Sequence, residues 1–320
     1  MALGFTIVAA LMRLNAWQHG RQSARIADVR VEHDRAYVVL LDRSLEIFDI
    51  SDPAHLLLRA EPHELGNVFG VDVVGDRAYL AGTQGLEIVD VRDPAHPRRL
   101  GRTLDKTGWS VNVFDNIAYV VTNDGLQIVD VGDPTHPLLR GSYGPPLPAQ
   151  HFRIAIVNQL TYVVDWETLQ ILDVRDPAHP QRIGMLSMPK ATQIQVVGQL
   201  AYVTAAGVVQ IVDISNPSHP IARGSIANAN EVREVQIVGQ RVYLITFDQE
   251  LQILDVRDPM HTTPRSAMAL SGIPQSVRVS DGIAYVATYG GGMQIVDVAD
   301  PAHPSLIGTC VIQNAGPGCA

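Results

Sequence analysis

Lysine is nearly missing from this 320-residue chain, in which Lys106 and Lys190 are the only two. With a formal net charge of −9, that scarcity excludes a nonspecific nucleic-acid or anionic-membrane binder, since both rely on clustered Lys and Arg. Cysteine is equally rare. Cys310 and Cys319 lie nine positions apart near the C-terminus, a spacing that suits a local disulfide in an oxidising compartment and no zinc cluster. Long apolar runs are missing too: Leu3 to Met12 holds ten apolar or small residues, too few to span a bilayer. No helical periodicity of useful length runs between the apolar segments. Nor is there a Gly-rich phosphate loop, a Gly-x-Ser-x-Gly elbow or a His-Glu-x-x-His. No metal or cofactor is expected on these grounds.

What the chain has is repetition. Its 46% hydrophobic and 18% charged residues suffice for a substantial core, and that apolar content recurs in register. Asp-Pro-x-His stands at Asp52, Asp93, Asp133, Asp176, Asp258 and Asp300, with Asn216 replacing Asp in the fifth of seven copies. A tyrosine precedes each one, at Tyr37, Tyr79, Tyr119, Tyr162, Tyr202, Tyr243 and Tyr285, so copies are 40–43 residues apart, in the range of propeller repeats. Within one unit, Ser110-Val111-Asn112-Val113-Phe114 alternates as a half-buried strand should, and Ile117 to Val121 reads as a more buried second strand after an Asp115-Asn116 turn. Leu126 to Val131 and Leu138 to Ser142 supply a third and a fourth. The expected fold is all-β, a seven-bladed β-propeller of four-stranded antiparallel blades. It should occupy residues 23–310, with a tail at 311–320. Residues 1–22 read equally as a degenerate secretion signal or an extra edge strand.

Leu86-Glu87-Ile88-Val89-Asp90 and Leu126-Gln127-Ile128-Val129-Asp130 nearly spell the signature of the LVIVD-repeat family, which the chain resembles over about residues 27–310. The resemblance implies a bacterial or archaeal type of protein that is exported or on the cell surface, with a cytoplasmic location as the alternative. It brings no catalytic motif to carry over.

Interval lengths locate a face. From the last apolar residue of strand one to the tyrosine is always six positions, and from the LVIVD aspartate to the turn histidine is also always six. Tyrosine to aspartate varies between 11 and 12, and histidine to the next unit between 15 and 18. In an up-and-down blade the two variable loops emerge together on one rim and both invariant turns on the other. Loops free to differ on a repeated scaffold are where binding residues reside. The expected binding residues are His63, Glu64, Trp109, His151, Asp165, Trp166, Lys190, Asn230 and Tyr289, with Trp109, Trp166 and Tyr289 as aromatic anchors. The seven turn histidines read as structural, each a full unit from the next.

Two functions from different classes compete. The favoured one is a non-catalytic binding or scaffold module that recognises a protein, peptide or glycan, without nucleic acid or a membrane span, and able to self-associate through a terminal edge strand. The alternative is a hydrolase, lyase or metal-dependent oxidase using His63 and His151 with acidic neighbours at the central channel.

Overall fold

A computed structural model of the chain describes residues 26–40, 45–53, 55–60, 67–144, 152–226, 232–259, 261–289, 292–311 and 318–319. The expected sites His63, Glu64, His151 and Asn230, and the segment 1–22, lie outside the described residues.

The first repeat forms β1 (Ile26–Glu32), β2 (Arg35–Leu40), β3 (Leu45–Asp49) and β4 (Leu57–Leu58). The second forms β5 (Val68–Val74), β6 (Arg77–Gly82), β7 (Gly85–Asp90) and β8 (Arg98–Thr103). The third forms β9 (Gly108–Phe114), β10 (Ile117–Thr122), β11 (Gly125–Asp130) and β12 (Leu138–Tyr143). Each set is one antiparallel sheet in sequence order. The turn between the first two strands is tight because its residues take positive φ, 49° at Asp115 and 59° at Asn116, the twist a two-residue hairpin needs.

The fourth and fifth repeats share one sheet, which corrects the expected count: among the described residues the sheets number six, not seven. This sheet runs β13 (Phe152–Val157), β14 (Leu160–Asp173), β15 (Gln181–Val197), β16 (Leu200–Ala205), β17 (Val208–Asp213) and β18 (Ile221–Ile226). The physical reason is local. β14 turns back on itself at Trp166, where φ is 70°, and Val174 N–H reaches Gln159 O at 3.1 Å, as in the ordinary hairpins. β15 then continues from one repeat into the next through Lys190, and Trp166 pairs with Ala191 across the junction. Hydrogen bonding therefore runs on where the other repeats break it with a loop.

The last two sheets hold β19 (Val232–Val238), β20 (Arg241–Thr246), β21 (Glu250–Asp255) and β22 (Thr263–Ala269), then β23 (Ile273–Ser280), β24 (Ile283–Tyr289), β25 (Gly292–Asp297) and β26 (Ser305–Val311). A short β27 (Gly318–Cys319) adds outside β26, with Cys319 opposite Cys310. Cys310 is disulfide-bonded, and Cys319 is the only other cysteine.

The core is a set of apolar seams between successive repeats, not one central mass. One joins Val38, Leu40 and Phe48 to Tyr285, Met293 and Ile295, so the last repeat packs directly on the first. Innermost strands touch in the cyclic order β1, β5, β9, β13, β15, β19, β23 and back to β1. Closure thus rests on side chains. Among the described residues no strand is lent from one end of the chain to the other's sheet.

The repeated motifs are scaffold. In all seven units the LVIVD aspartate accepts a hydrogen bond from the backbone N–H two residues on, at 2.9–3.1 Å. In the six Asp-Pro-x-His turns the aspartate carboxylate holds the histidine Nδ1 at 2.8–3.1 Å. Several of these turns also clasp the neighbouring repeat. A Cβ on Gly141 would meet Pro177 O at 2.3 Å, and one on Gly184 would meet Pro217 O at 2.0 Å, so at these two repeats glycine lets the outermost strand pass under the next repeat's turn, while in the sixth Ser266 stands there and donates its hydroxyl to Pro301 O at 2.7 Å.

Candidate functional site

The innermost strands surround a cavity of about 350 Å³ on the axis. Alternation in a strand sends residues i and i+2 to the same side, so each innermost strand presents two such residues and the set forms two rings. The upper ring is Asp28, Gly70, Ser110, Arg153, Gln193, Glu234 and Ser276; the lower is Arg30, Asn112, Ala155, Gln195, Gln236 and Arg278, with Asp72 in the corresponding place on β5. The apolar residues between them recur from unit to unit, while these positions differ at nearly every unit.

Many of these side chains sew one repeat to the next. Asp28 accepts from Val71 N–H at 3.3 Å, Asp72 from Val113 at 2.7 Å, Glu234 from Val277 at 2.8 Å and Gln236 from Val279 at 2.6 Å. Gln195 bonds both the N–H and the carbonyl of Ile237, at 2.7 and 2.9 Å. Arg278 lies 2.9 Å from Glu234 and 3.2 Å from Asp28, an ion-pair chain across the point where the seventh repeat meets the first. Burial works against its charge, but Glu234 and Asp28 hold its pKa above the ordinary arginine value. At Arg153 the balance is reversed: burial lowers the pKa, and the fields of Asp28 and Glu234 offset this only in part. Burial likewise raises the Asp72 carboxyl, against the pull of Arg30 at 3.6 Å.

Other groups in the cavity wall are unengaged. The side chains of Ser110, Asn112 and Gln193 form no hydrogen bond among the described residues. The hydroxyl of Ser276, a residue only 3% exposed, is also unpartnered, and so is the Arg278 Nε–H.

At the loop-bearing end, Trp109 stacks on Phe69 with ring centroids 4.7 Å apart, and both line the cavity. The indole N–H donates to Asn123 at 2.8 Å, so the ring plane is fixed. Gly70 permits this approach, since a Cβ there would lie 3.0 Å from Ser110 Cα. Nearby, Arg233 sits 5.1 Å over the exposed ring of Phe247 and bonds Gln275.

The remaining expected residues fall differently. Trp166 and Lys190 meet at the junction of the fourth and fifth repeats, where Trp166 pairs with Ala191; Trp166 is half-buried and Lys190 exposed. Tyr289, 48% exposed, stands opposite the exposed Ile273. Asp165 accepts from the Thr168 backbone and hydroxyl at 2.7 and 2.8 Å and from Gln170 at 2.7 Å, so its oxygens hold their own turn. Sequence reasoning missed the two rings, Phe69 and Phe247. The available signal was polar residues that differ among units at alternate positions of an otherwise uniform first strand. Among the described residues no group of three or more His, Cys, Asp or Glu could hold a metal ion, and no helix is long and apolar enough to cross a membrane.

The family model of the LVIVD repeat matches residues 25–61, 65–105, 107–144, 152–186, 189–228 and 271–311. It passes over the sixth repeat, whose strands β19–β22 nevertheless form an ordinary sheet. No curated protein matches the sequence. Among solved structures, a functionally unknown protein from Desulfotomaculum acetoxidans has a TM-score of 0.71 at 13% identity, over 93% of this chain and 98% of its own. A Lactobacillus plantarum protein scores 0.71 at 12% identity, over 89% of this chain and 94% of its own. The Cps50 (Swd1) β-propeller domain of Myceliophteria thermophila scores 0.67 at 14% identity, over 87% and 98%. Likeness at these identities is one of fold.

Proposed function

The chain belongs to the LVIVD-repeat family, and from that premise we propose that it is a non-catalytic binding module whose recognition surface is the loop-bearing face around the channel mouth. One observation carries this reading: the scaffold positions recur from unit to unit with few and conservative replacements, whereas the axial positions and the mouth residues differ. Packing and turn formation require the former everywhere, so variation confined to the latter leaves them available for a ligand. Trp109, Phe69, Phe247, Trp166 and Tyr289 supply aromatic area on that face, which buries well at low entropy cost.

The partner is a protein, peptide or glycan. Peptide and glycan arrays with the intact chain identify it, and a combined Trp109→Ala, Trp166→Ala and Tyr289→Ala variant tests the face. Loss of binding is expected; unchanged affinity for every partner found would sink the assignment. We also propose export or surface location, supported by the disulfide at Cys310, because such bonds persist in oxidising compartments. Cell fractionation with thiol labelling checks it, a cytoplasmic protein with free thiols being the contrary result.

A further inference from the structure

The charges of the channel wall are already paired. Arg278 lies between Glu234 and Asp28, Arg30 faces Asp72 at 3.6 Å, and Arg153 is engaged as well. Three guanidiniums thus stand with three carboxylates, and no charge is left over for an ionic ligand. What remains open is neutral. The Ser110 hydroxyl and the Asn112 and Gln193 amides are half-buried in the cavity wall and form no hydrogen bond among the described residues. They come from β9 and β15, on either side of β13, which contributes only Ala155 to the lower ring. Room is therefore left on this side of the axis.

A primary amide presents a donor and an acceptor side by side, which matches two neighbouring hydroxyls on a ligand. Two amides and a serine together call for three or more hydroxyls. Asn112 belongs to the lower ring and Gln193 to the upper, so a ligand that reaches both must send polar groups out of its mean plane. Rotatable hydroxyls on a puckered ring do so; the edge of a flat heterocycle does not. Trp109, stacked on Phe69 in the same wall and held by Asn123, adds an apolar surface for the C–H face of such a ring. At about 350 Å³, near the small end of the roughly 300–1,000 Å³ usual for small-molecule sites, the cavity takes one ring and not a chain.

Resting on the loop-face reading above, we propose that the channel binds one neutral pyranose, free or as the end residue of a glycan, with its hydroxyls on Ser110, Asn112 and Gln193 and its C–H face towards Trp109.

Calorimetry and saturation-transfer NMR on the full chain test this with the methyl glycosides of glucose, galactose and mannose, a trisaccharide ending in each, cyclohexanol and adenine. At least one sugar is expected to bind about tenfold or more tightly than cyclohexanol and adenine, the worth of one or two hydrogen bonds. Tighter binding of a trisaccharide than of its methyl glycoside assigns the end-residue form, and equal or weaker binding the free sugar. Asn112→Ala and Gln193→Ala should each weaken binding about fivefold and leave the urea midpoint in place, because their side chains hold nothing else among the described residues. No binding by any of the sugars, binding no tighter than that of cyclohexanol or adenine, or affinity indifferent to both amide variants overturns the proposal. The loop-face reading is scored separately with the Trp166→Ala and Tyr289→Ala pair, whose positions lie outside the channel wall. Loss of array-identified partners in that pair while no sugar binds keeps the face and removes the channel site; sugar binding that depends on Asn112 and Gln193, with every partner indifferent to the rim pair, does the reverse.

Discussion

From β15 through β19, β23, β1 and β5 to β9, channel side chains bond from one repeat to the next, whereas on the stretch between β9, β13 and β15 the amides of Asn112 and Gln193 and the hydroxyl of Ser110 bond nothing among the described residues. Both arcs come from the same repeat, with the same apolar residues beneath. The difference lies in the axial side chains alone, which bond across repeats in one arc and form no hydrogen bond among the described residues in the other. The open arc is not loose. It is fastened at its circumference, where Gly141 and Gly184 admit the turns at Pro177 and Pro217, and by the backbone pairing of Trp166 with Ala191.

The largest effect should follow from cutting the sewn arc at its closure. Arg278→Met leaves Asp28 and Glu234 without their shared guanidinium, and breaking such a buried pair costs about 3 kcal/mol. Urea unfolding measures it, and a change under about 1 kcal/mol, the level of a surface pair, would remove the closure role. Gly184→Ala attacks the open arc from outside. A Cβ 2.0 Å from a carbonyl oxygen forces the clasp apart, at about 2 kcal/mol by the same measurement. A tolerated alanine would mean that the rim does not fasten this arc.

The sharpest comparison uses two glutamines on one strand. Gln195→Ala strands the N–H and carbonyl of Ile237 and should cost about 1.5 kcal/mol, while Gln193→Ala should stay within about 0.5 kcal/mol. Equal costs would erase the distinction between arcs. The smallest effect per residue is shared by both arcs. Backbone, hydroxyl and arginine donors hold Asp49, Asp90 and Asp213 at pKa values of about 2, below the roughly 3.9 of an unfolded aspartate. Their stabilisation is complete above about pH 4 and is lost as pH falls towards about 2. An acid titration followed by circular dichroism should therefore show unfolding in that window. Asp213→Asn should flatten the slope there, and an unchanged profile would mean that the caps contribute nothing.

Legibility differed by level. Strand order and turn chemistry were readable because each residue concerned recurs: Asp130 caps its turn as its copies do, and Asp115 and Asn116 form the hairpin their types suggest. Sheet count was less so. Seven repeats fold into six sheets because β14 and β15 remain hydrogen-bonded through Trp166 and Lys190, which depends on backbone angles that no spacing reveals. Of the expected binding residues, Trp109 lies in the cavity wall stacked on Phe69, and Asp165 accepts hydrogen bonds within its own turn. The alternation Ser110-Val111-Asn112 was visible as a half-buried strand, yet nothing in it said that its polar side would face an axis instead of solvent.

The sequence alone determined the repeat, its strands, its turns and the rim that carries irregular loops, because these arise from contacts within about 40 residues that each unit makes for itself. Tertiary structure decided which polar residues converge. Asp28 and Arg278 are 250 positions apart, and only closure of the ring brings them to 3.2 Å; chain order carries no record of a distance set by the curvature of every repeat between.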